Sequence, residues 1–236
     1  TCYVEAFGGA AWVLFAKDSK TSKHEVINDA HAELMNFWEV VRTKKDELFQ
    51  SMLWDIPSRL VYNNLRKADL SSMSDVERAR RLYWMTKAAF GGTYADVFGT
   101  GKDSANRLNF DAFERKLIQA NIRFKTVTIE CKDYRELSKI YDAETTFWYL
   151  DPPYLGTITT GYQEKLNLDE FVPFAKYLKG KVAISHNVNK TIREAFKDWN
   201  FINLGRRQNC IGNNGKSAGT HAQEWLITNY KPEQKP

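Results

Sequence analysis

A carboxylate, two prolines and an aromatic ring follow one another in the segment Asp151-Pro152-Pro153-Tyr154, directly after an apolar run over 146–150. Two consecutive prolines fix the backbone and remove two N–H donors, which leaves the Asp151 carboxylate and the backbone carbonyls as acceptors. Such a group can accept both hydrogens of an amino group on a flat ring, while Tyr154 stacks on the ring. A rigid turn after a strand, with Asp151 as a cap, is the alternative, and the tetrapeptide alone leaves both open.

A second candidate site lies near the start of the chain, in the segment Glu5-Ala6-Phe7-Gly8-Gly9-Ala10-Ala11. Small residues between a strand and a helix let a ligand approach the helix N-terminus closely. Asp29 ends the next predicted strand about 20 residues later, at the spacing where an acidic residue holds the hydroxyls of a ribose. A packing turn, with Asp29 capping the following helix, is the simpler interpretation.

Positive charge is concentrated in the middle of the chain. The net charge is +5, and residues 59–125 hold 13 Lys and Arg against 7 Asp and Glu. A basic stretch of this kind is typical of a surface that binds a phosphate backbone. A solvated helical face would have the same composition, so charge alone does not decide between them.

The elements that must position these residues alternate between strand and helix. Predicted strands cover 3–7, 25–28, 124–130, 146–150, 181–184 and 201–204, and predicted helices cover 10–17, 30–53, 134–141, 168–179 and 190–198. Extended segments near 207–211 and 223–230 are predicted to form an antiparallel pair. The alternation predicts an α/β fold with a mainly parallel sheet, and places Asp151 where ligands bind, beyond the carboxyl end of a strand.

A mostly helical insertion interrupts the alternation over 57–123, so that 1–56 and 124–236 form the other domain. Its predicted helices cover 58–70, 74–90 and about 109–121, with a polar, Gly-containing loop over 91–108. Ser74 and Glu77 have the spacing of a capping box at the start of the second helix.

Composition excludes several classes of protein. No apolar run approaches the ~20 residues that a membrane span requires, and the first residues do not form a secretory signal. The cysteines are Cys2, Cys131 and Cys210, and with four scattered histidines they show no metal-binding spacing. We therefore expect a cytoplasmic protein with reduced thiols, no metal and no membrane partner.

Taken together, the motifs resemble a known family. The segments Glu5–Ala11, Asn28-Asp29 with Glu33-Leu34-x-Asn36-Phe37, and Asp151–Tyr154 are similar to those of Dam-type DNA adenine-N6 methyltransferases, in the order of the alpha group. Such enzymes are common in phages and restriction systems. Further similarity lies in Glu130–Tyr134, Ile184–Asn187 and Glu224–Tyr230, so nearly the whole chain is covered.

The resemblance implies a Rossmann-like methyltransferase sheet, 57–123 as a target-recognition insertion, and S-adenosylmethionine as methyl donor. The residues it assigns to the cofactor are Glu5, Phe7, Gly8, Gly9, Asp29 and Asp133. Phe7 to Gly9 would line its methionine end, Asp29 would hold the ribose, and Asp133 would accept from its adenine. Asp151, Pro152, Pro153 and Tyr154 would hold the target adenine, flipped out of duplex DNA.

Candidate DNA contacts are Arg78, Arg80, Arg81, Lys87, Tyr94, Arg206, Arg207 and Lys216. We expect a monomer, with a cognate restriction endonuclease acting on the same site as a further partner. Cytosine-N4 methylation is an alternative, although Asp151 favours adenine; RNA and protein amide methylation fit the motifs less well. A non-catalytic DNA-binding relative is the alternative from another functional class.

Two features differ from the family pattern. Ala6 stands where the family usually has Pro, and Ala11 where it often has Gly, and both replacements are small. The family also has an upstream segment with Gly and Lys that completes the methionine pocket. Because the chain starts at Thr1, almost directly in the first strand, we expect it to be truncated.

Overall fold

A computed structural model describes residues 1–88, 98–99, 110–153, 166–208 and 221–232. The backbone divides into two compact units, Thr1–Ala30 with Glu130–Pro236, and His31–Ile129. We refer to them as the sheet unit and the helical unit. The predicted target-recognition insertion over 57–123 is defined by contact with DNA, so its boundaries stay a prediction.

A seven-stranded sheet is formed within the described part of the chain. Its strands are β1 (Cys2–Glu5), β2 (His24–Asn28), β3 (Val127–Glu130), β4 (Thr146–Leu150), β5 (Lys181–Asn187), β6 (Asn200–Gln208) and β7 (His221–Thr228). They lie in the order β3-β2-β1-β4-β5-β7-β6. β1 pairs in parallel with β2 and β4, β4 pairs in parallel with β5, and β7 is antiparallel to β5 and β6. The predicted mainly parallel sheet with an antiparallel terminal pair is confirmed.

Helices of the sheet unit include α1 (Trp12–Ala16), α7 (Tyr134–Tyr141), α8 (Leu168–Tyr177) and α9 (Lys190–Ala195). One face of the sheet packs on α7, α8 and α9, where Val4, Trp148, Leu150, Phe171 and Ile184 are buried in one apolar cluster. Side chains alternate along each strand, so the opposite face carries the intervening residues, many of them polar.

In the helical unit, the helices are α2 (Ala32–Thr43), α3 (Lys45–Met52), α4 (Arg59–Lys67), α5 (Asp75–Lys87) and α6 (Phe110–Phe124). α5 packs against α2, α3 and α4, and α2 also packs against α6. The capping box predicted for α5 is confirmed, because Ser74 accepts from the backbone of Glu77 and Glu77 accepts from the backbone of Ser74.

Three element predictions are wrong in detail. The single helix predicted over 30–53 is two helices, because Lys44 leaves the helical conformation with φ −134° and ψ 36°; its ammonium lies 2.7 Å from Asp75. The strand predicted from Phe124 begins at Val127, since Phe124 is the last residue of α6, stacked on Trp38 with 4.8 Å between the ring centroids.

The third correction concerns the end of the sheet. The strand predicted over 201–204 and the first part of the extended segment predicted near 207–211 belong to one strand, β6, which continues through an irregularity between Asn203 and Gly205. Residues 209–211 lie outside the described residues. Gly205 has φ +97°, a conformation that favours glycine, and this irregularity bends the strand without ending it.

Candidate active site

A cleft of about 410 Å³ opens beyond the carboxyl ends of β1 and β4 in the sheet unit. Seven residues of the two predicted motifs line it: Glu5, Phe7, Gly8, Gly9, Ala10, Asp151 and Pro153. Because the pairing of β1 with β4 sets Glu5 opposite Tyr149, the loops that follow these strands leave the sheet side by side. The two motifs, separated by about 140 residues in sequence, therefore form one site.

The loop after β1 depends on glycine at one position for space and at another for conformation. A Cβ on Gly8 would lie 2.3 Å from Cγ1 of Ile27, well inside van der Waals contact. Gly9 has φ +48°, and a Cβ there would meet nothing within 4 Å. Ala11 also has a positive φ, 59°, at the start of α1. The chain thus turns tightly against β2 at Gly8 while Gly9 leaves the cleft open.

Asp29 holds the loop after β1 through a hydrogen bond to its backbone. Its side chain is buried, and Oδ2 accepts a 3.0 Å hydrogen bond from the backbone N–H of Gly9. Asp29 is not among the residues that line the cleft. The structure thus gives it a role in holding the loop, and a direct contact with a ribose stays a prediction.

Asn28 is a residue whose role the sequence did not indicate. Its buried amide donates to the carbonyls of Ala6 and Lys132, each at 3.0 Å, and its Oδ1 accepts from the Lys132 backbone at 2.8 Å. One side chain therefore ties the loop after β1 to the loop after β3. The only sequence signal was its place in the Asn28-Asp29 pair.

Asp133 follows β3 but does not line the cleft. Its carboxylate caps α7 by accepting from the backbone of Arg135, and it also accepts from the Arg135 guanidinium at 2.8 Å. These bonds hold the pKa of Asp133 below its ordinary value. An additional contact with the cofactor adenine stays a prediction, and the observed pairing with Arg135 counts against it.

Asp151 and Pro153 reach the cleft directly after β4, while Pro152 between them is buried. This alternation places the carboxylate at the opening with the backbone fixed behind it. Tyr154 lies outside the described residues, so its stacking role stays a prediction.

Further cleft residues were not predicted as site residues: Trp12, Tyr149 and Glu224. Glu224 lies on β7 opposite Asn187, and its Oε1 accepts a 2.8 Å hydrogen bond from the Ser185 hydroxyl. Ser185 of the Ile184–Asn187 motif therefore holds Glu224, the residue of the Glu224–Tyr230 motif that lines the cleft. Pairing between β5 and β7 brings them together, which the linear sequence does not show.

Acidic side chains dominate the charge of the cleft. Glu5, Asp151 and Glu224 line it, and none of the lining residues that the structure describes is Lys or Arg. A cleft with this balance favours a cationic ligand over an anionic one.

Of the candidate DNA contacts, Arg78 and Arg80 are paired with carboxylates inside the helical unit. Nε of Arg78 lies 3.1 Å from both oxygens of Glu33. Nε of Arg80 lies 2.8 Å from Asp55. The Glu33 carboxylate raises the pKa of Arg78, as expected for a bidentate pair. The pairs engage Nε and Nη2 of each guanidinium, and contact of either arginine with DNA stays a prediction.

Arg81 is buried, and its Nε donates to the Leu65 carbonyl at 2.6 Å. A guanidinium in that position cannot lie on a phosphate, so we correct the expectation for Arg81. Lys87 is exposed at the end of α5. Tyr94 and Lys216 lie outside the described residues, and only the backbone is described for Arg206 and Arg207, on β6.

The strand order, with antiparallel β7 between β5 and β6, and the cleft beyond the parallel strands are consistent with a methyltransferase fold. The chain belongs to the D12 class N6 adenine-specific DNA methyltransferase family, which it matches over residues 1–210. It is therefore an adenine-specific DNA methyltransferase.

Three similar proteins come from two microorganisms and a virus. The chain is 25% identical to Type II methyltransferase M.MjaIII of Methanocaldococcus jannaschii, over 97% of this chain and 88% of the relative. It is 24% identical to Type II methyltransferase M1.LlaDCHI of Lactococcus lactis subsp. cremoris, over 87% of this chain and 79% of the relative. It is 23% identical to Type II methyltransferase M.CviBI of Paramecium bursaria Chlorella virus NC1A, over 84% of this chain and 77% of the relative.

Within the described ranges, no helix is long and apolar enough to cross a membrane. No group of three or more metal-ligating side chains occurs in the same ranges.

Proposed function

We propose that the protein transfers a methyl group from S-adenosylmethionine to N6 of an adenine flipped out of duplex DNA. The observation that carries the proposal is the cleft itself, where Asp151 and Pro153 face the glycine loop of β1 across one shared volume. Donor and acceptor of a group transfer must lie side by side, and this cleft receives residues from both motifs.

The cleft fits the proposed cofactor in size and charge. Its volume of about 410 Å³ falls in the ~300–1,000 Å³ range of small-molecule sites. S-adenosylmethionine carries a sulfonium and an α-ammonium group, which suit a wall lined by Glu5, Asp151 and Glu224. Gly8 and Gly9 line the cleft without side chains, so the backbone can approach the ligand closely. A Cβ on Gly9 would meet no protein atom within 4 Å and would take up space that is open to the ligand. When bound, the cofactor supplies a methyl group activated by a good leaving group.

Asp151 acts on the nucleophile. The lone pair of an adenine amino group is delocalised into the ring, so the nitrogen attacks poorly. Accepting a hydrogen bond from the amino group, with the Pro152 carbonyl as second acceptor, favours a more tetrahedral nitrogen whose lone pair can attack in line. The fixed backbone at Pro152 and Pro153 keeps these acceptors preorganised, which is the main source of acceleration in such a site.

Access to the amino group requires the base to leave the duplex, at a cost of a few kcal/mol. Stacking on Tyr154 would return about 1–3 kcal/mol of that cost. The exposed ring of Trp12, which also lines the cleft, offers a second apolar surface.

The test is methyl transfer from labelled S-adenosylmethionine to unmethylated duplex DNA, with the product digested and its nucleosides identified. We expect N6-methyladenine. Asp151→Ala should lower turnover by about 10²-fold or more, because it removes a preorganised acceptor, while DNA affinity stays unchanged. Asp169→Ala, which removes an exposed carboxylate in the first turn of α8, is the matched control and should behave as wild type.

Other results would contradict the proposal in distinct ways. Detection of N4-methylcytosine would show that the target base is cytosine. Near-normal turnover of Asp151→Ala would refute the mechanism. Absence of product together with absence of cofactor binding would favour the non-catalytic DNA-binding relative.

The names of the relatives support a biological setting. Since all three are Type II methyltransferases, we propose a role in restriction-modification, in which an endonuclease recognises the same site. The protein would act as a monomer on DNA in the cytoplasm of a bacterial or phage-infected cell.

A further inference from the structure

Helix α4 differs from the other helices of the helical unit in its charge. Its sequence, RLVYNNLRK, contains three basic residues and no Asp or Glu, whereas α2, α3, α5 and α6 each contain at least two acidic residues. The exposed positions of α4 are Arg59, Leu60, Asn64, Arg66 and Lys67. A helix without carboxylates of its own presents less repulsion to a phosphate backbone than its acidic neighbours do.

The exposed residues of α4 have the spacing and the chemistry needed to contact base edges. Leu60, Asn64 and Lys67 follow one another at i, i+4 and i+7, so they lie along one stripe of the helix. The stripe is about 10 Å long, or about three base-pair steps. In the major groove, an Asn amide pairs with adenine N6 and N7, a Lys ammonium pairs with guanine or a phosphate, and an apolar side chain contacts the thymine methyl group.

The opposite face of α4 is anchored, so the stripe is held in a fixed orientation. Tyr62 is fully buried, and it packs with Leu65 and Trp84 in the core of the helical unit. Ser58 caps the N-terminus by accepting from the backbone of Val61 at 3.3 Å. An exposed face on a packed and capped helix needs little ordering when it binds, which favours specific recognition.

Arg81 completes this anchor. Its buried guanidinium donates to the Leu65 carbonyl at 2.6 Å and to the Arg66 carbonyl at 3.4 Å, in the last turn of α4. Carbonyls in the last turn of a helix lack partners within the helix, and a cation is favourable there. Arg81 is therefore a positioning residue for α4, although the sequence had suggested that it contacts DNA itself.

We propose that the exposed face of α4, made of Leu60, Asn64 and Lys67, is a DNA-reading surface that enters the major groove. The inference rests on the proposed function in taking duplex DNA as the partner. It goes beyond that function by naming the helix and the side chains that select the sequence. Asn64 contacts a base edge, and Lys67 contacts a phosphate or a guanine.

The test compares four variants of the full chain. Asn64→Ala and Lys67→Ala alter the stripe, while Gln119→Ala and Lys116→Ala remove an exposed amide and an exposed lysine from α6 as matched controls. Alanine preserves helix propensity at all four positions, so the fold should survive, which circular dichroism checks. Methylated sites are mapped on unmethylated plasmid DNA, and binding to a duplex containing the preferred site is titrated against salt.

Asn64→Ala should relax sequence preference at one base pair and lower kcat/KM on the preferred site by about 5- to 150-fold, the discrimination that one bidentate base contact provides. Lys67→Ala should reduce the slope of log affinity against log salt by about one if it contacts a phosphate, or relax a second base pair if it contacts guanine. The α6 variants should show neither change.

The outcomes separate this inference from the proposed function. If the wild type methylates DNA and both α4 variants match the α6 controls, the inference is overturned and the proposed function stands. The exposed face of α4 would then be a candidate surface for a protein partner. If the wild type binds duplex DNA without methylating it and the α4 variants bind with altered preference or slope, the inference stands and the function fails. If the wild type does not bind duplex DNA, both are overturned.

Discussion

Replacing Gly8 with Ala tests whether the loop after β1 is shaped by contact with β2. A methyl group on Gly8 would lie 2.3 Å from Cγ1 and 2.7 Å from Cδ1 of Ile27, and 3.1 Å from the carbonyl oxygen of Asn28. Ordinary contact between such atoms begins near 3.5 Å, so the loop must move by about 1 Å. Ile27 is fully buried, and side chains in protein interiors are closely packed, so it can move only by displacing its neighbours.

The expected cost follows from this overlap. Overpacking of a buried site costs about 1–3 kcal/mol of stability, and a misplacement of about 1 Å in a ligand-holding loop can cost up to about 10²-fold in function. We therefore expect Gly8→Ala to unfold at lower urea concentration. In isothermal titration calorimetry, it should bind S-adenosylmethionine about 10- to 100-fold more weakly than wild type.

A double-mutant cycle isolates the cause. Ile27→Ala alone should cost about 2–5 kcal/mol by leaving a cavity, but it removes both side-chain atoms that Gly8→Ala would strike. In the double variant, the new methyl fills part of that cavity, so the two costs should fall short of additivity by about 1–2 kcal/mol. Gly9→Ala is the control, because its cost comes from φ +48° and its Cβ meets nothing within 4 Å; its effect should add to that of Ile27→Ala. Strict additivity for Gly8→Ala, or wild-type cofactor affinity, would refute the reasoning.

Two further perturbations test the assignments made above. Arg80→Ala should lower the free energy of unfolding by about 2–4 kcal/mol, because the largely buried carboxylate of Asp55 keeps the Trp84 indole at 2.6 Å but loses its guanidinium partner. Urea unfolding measures this loss. A reduced salt slope for DNA binding in the same variant would instead support Arg80 as a phosphate contact. Burial lowers the pKa of His186, so the unfolded chain takes up a proton at higher pH than the folded chain does. The free energy of unfolding should therefore fall as pH decreases below about 6.5, by at most about 1.4 kcal/mol per pH unit. Urea midpoints between pH 5 and 8 should show this loss in wild type and a smaller one in His186→Gln, and equal slopes would rule out His186 as its source.

Much of the sheet was predictable because its signals are local. The apolar run over 146–150 and the helix over 134–141 were predicted with the bounds that the structure has. The break between α2 and α3 was not, because it occurs at Lys44, a good helix former with no Gly or Pro nearby. Its cause is tertiary, since the Lys44 ammonium lies 2.7 Å from Asp75 and α5 packs against both helices.

The candidate site shows the same division. The acidic and glycine-containing segments were predicted because each follows a predicted strand and carries chemistry in its own residues. Glu224 was missed because only the pairing of β7 with β5 brings it to the cleft, where Ser185 holds it. Asn28 was missed as a clamp because two of its partners are backbone atoms of Lys132, 104 residues away.

The arginines show why a charge count does not define an interface. Arg66 and Arg81 contributed equally to the basic stretch that suggested DNA binding, yet one is exposed on α4 and the other is buried beneath it. A buried guanidinium is tolerated only where acceptors surround it, and the carbonyls of Leu65 and Arg66 at the end of α4 provide them. The same carbonyls concentrate negative potential at the end of the helix, which Arg66 and Lys67 offset from the solvent side. The buried cation that fixes the helix is thus distinct from the exposed cations, and only substitution of the exposed ones should change the salt dependence of DNA binding.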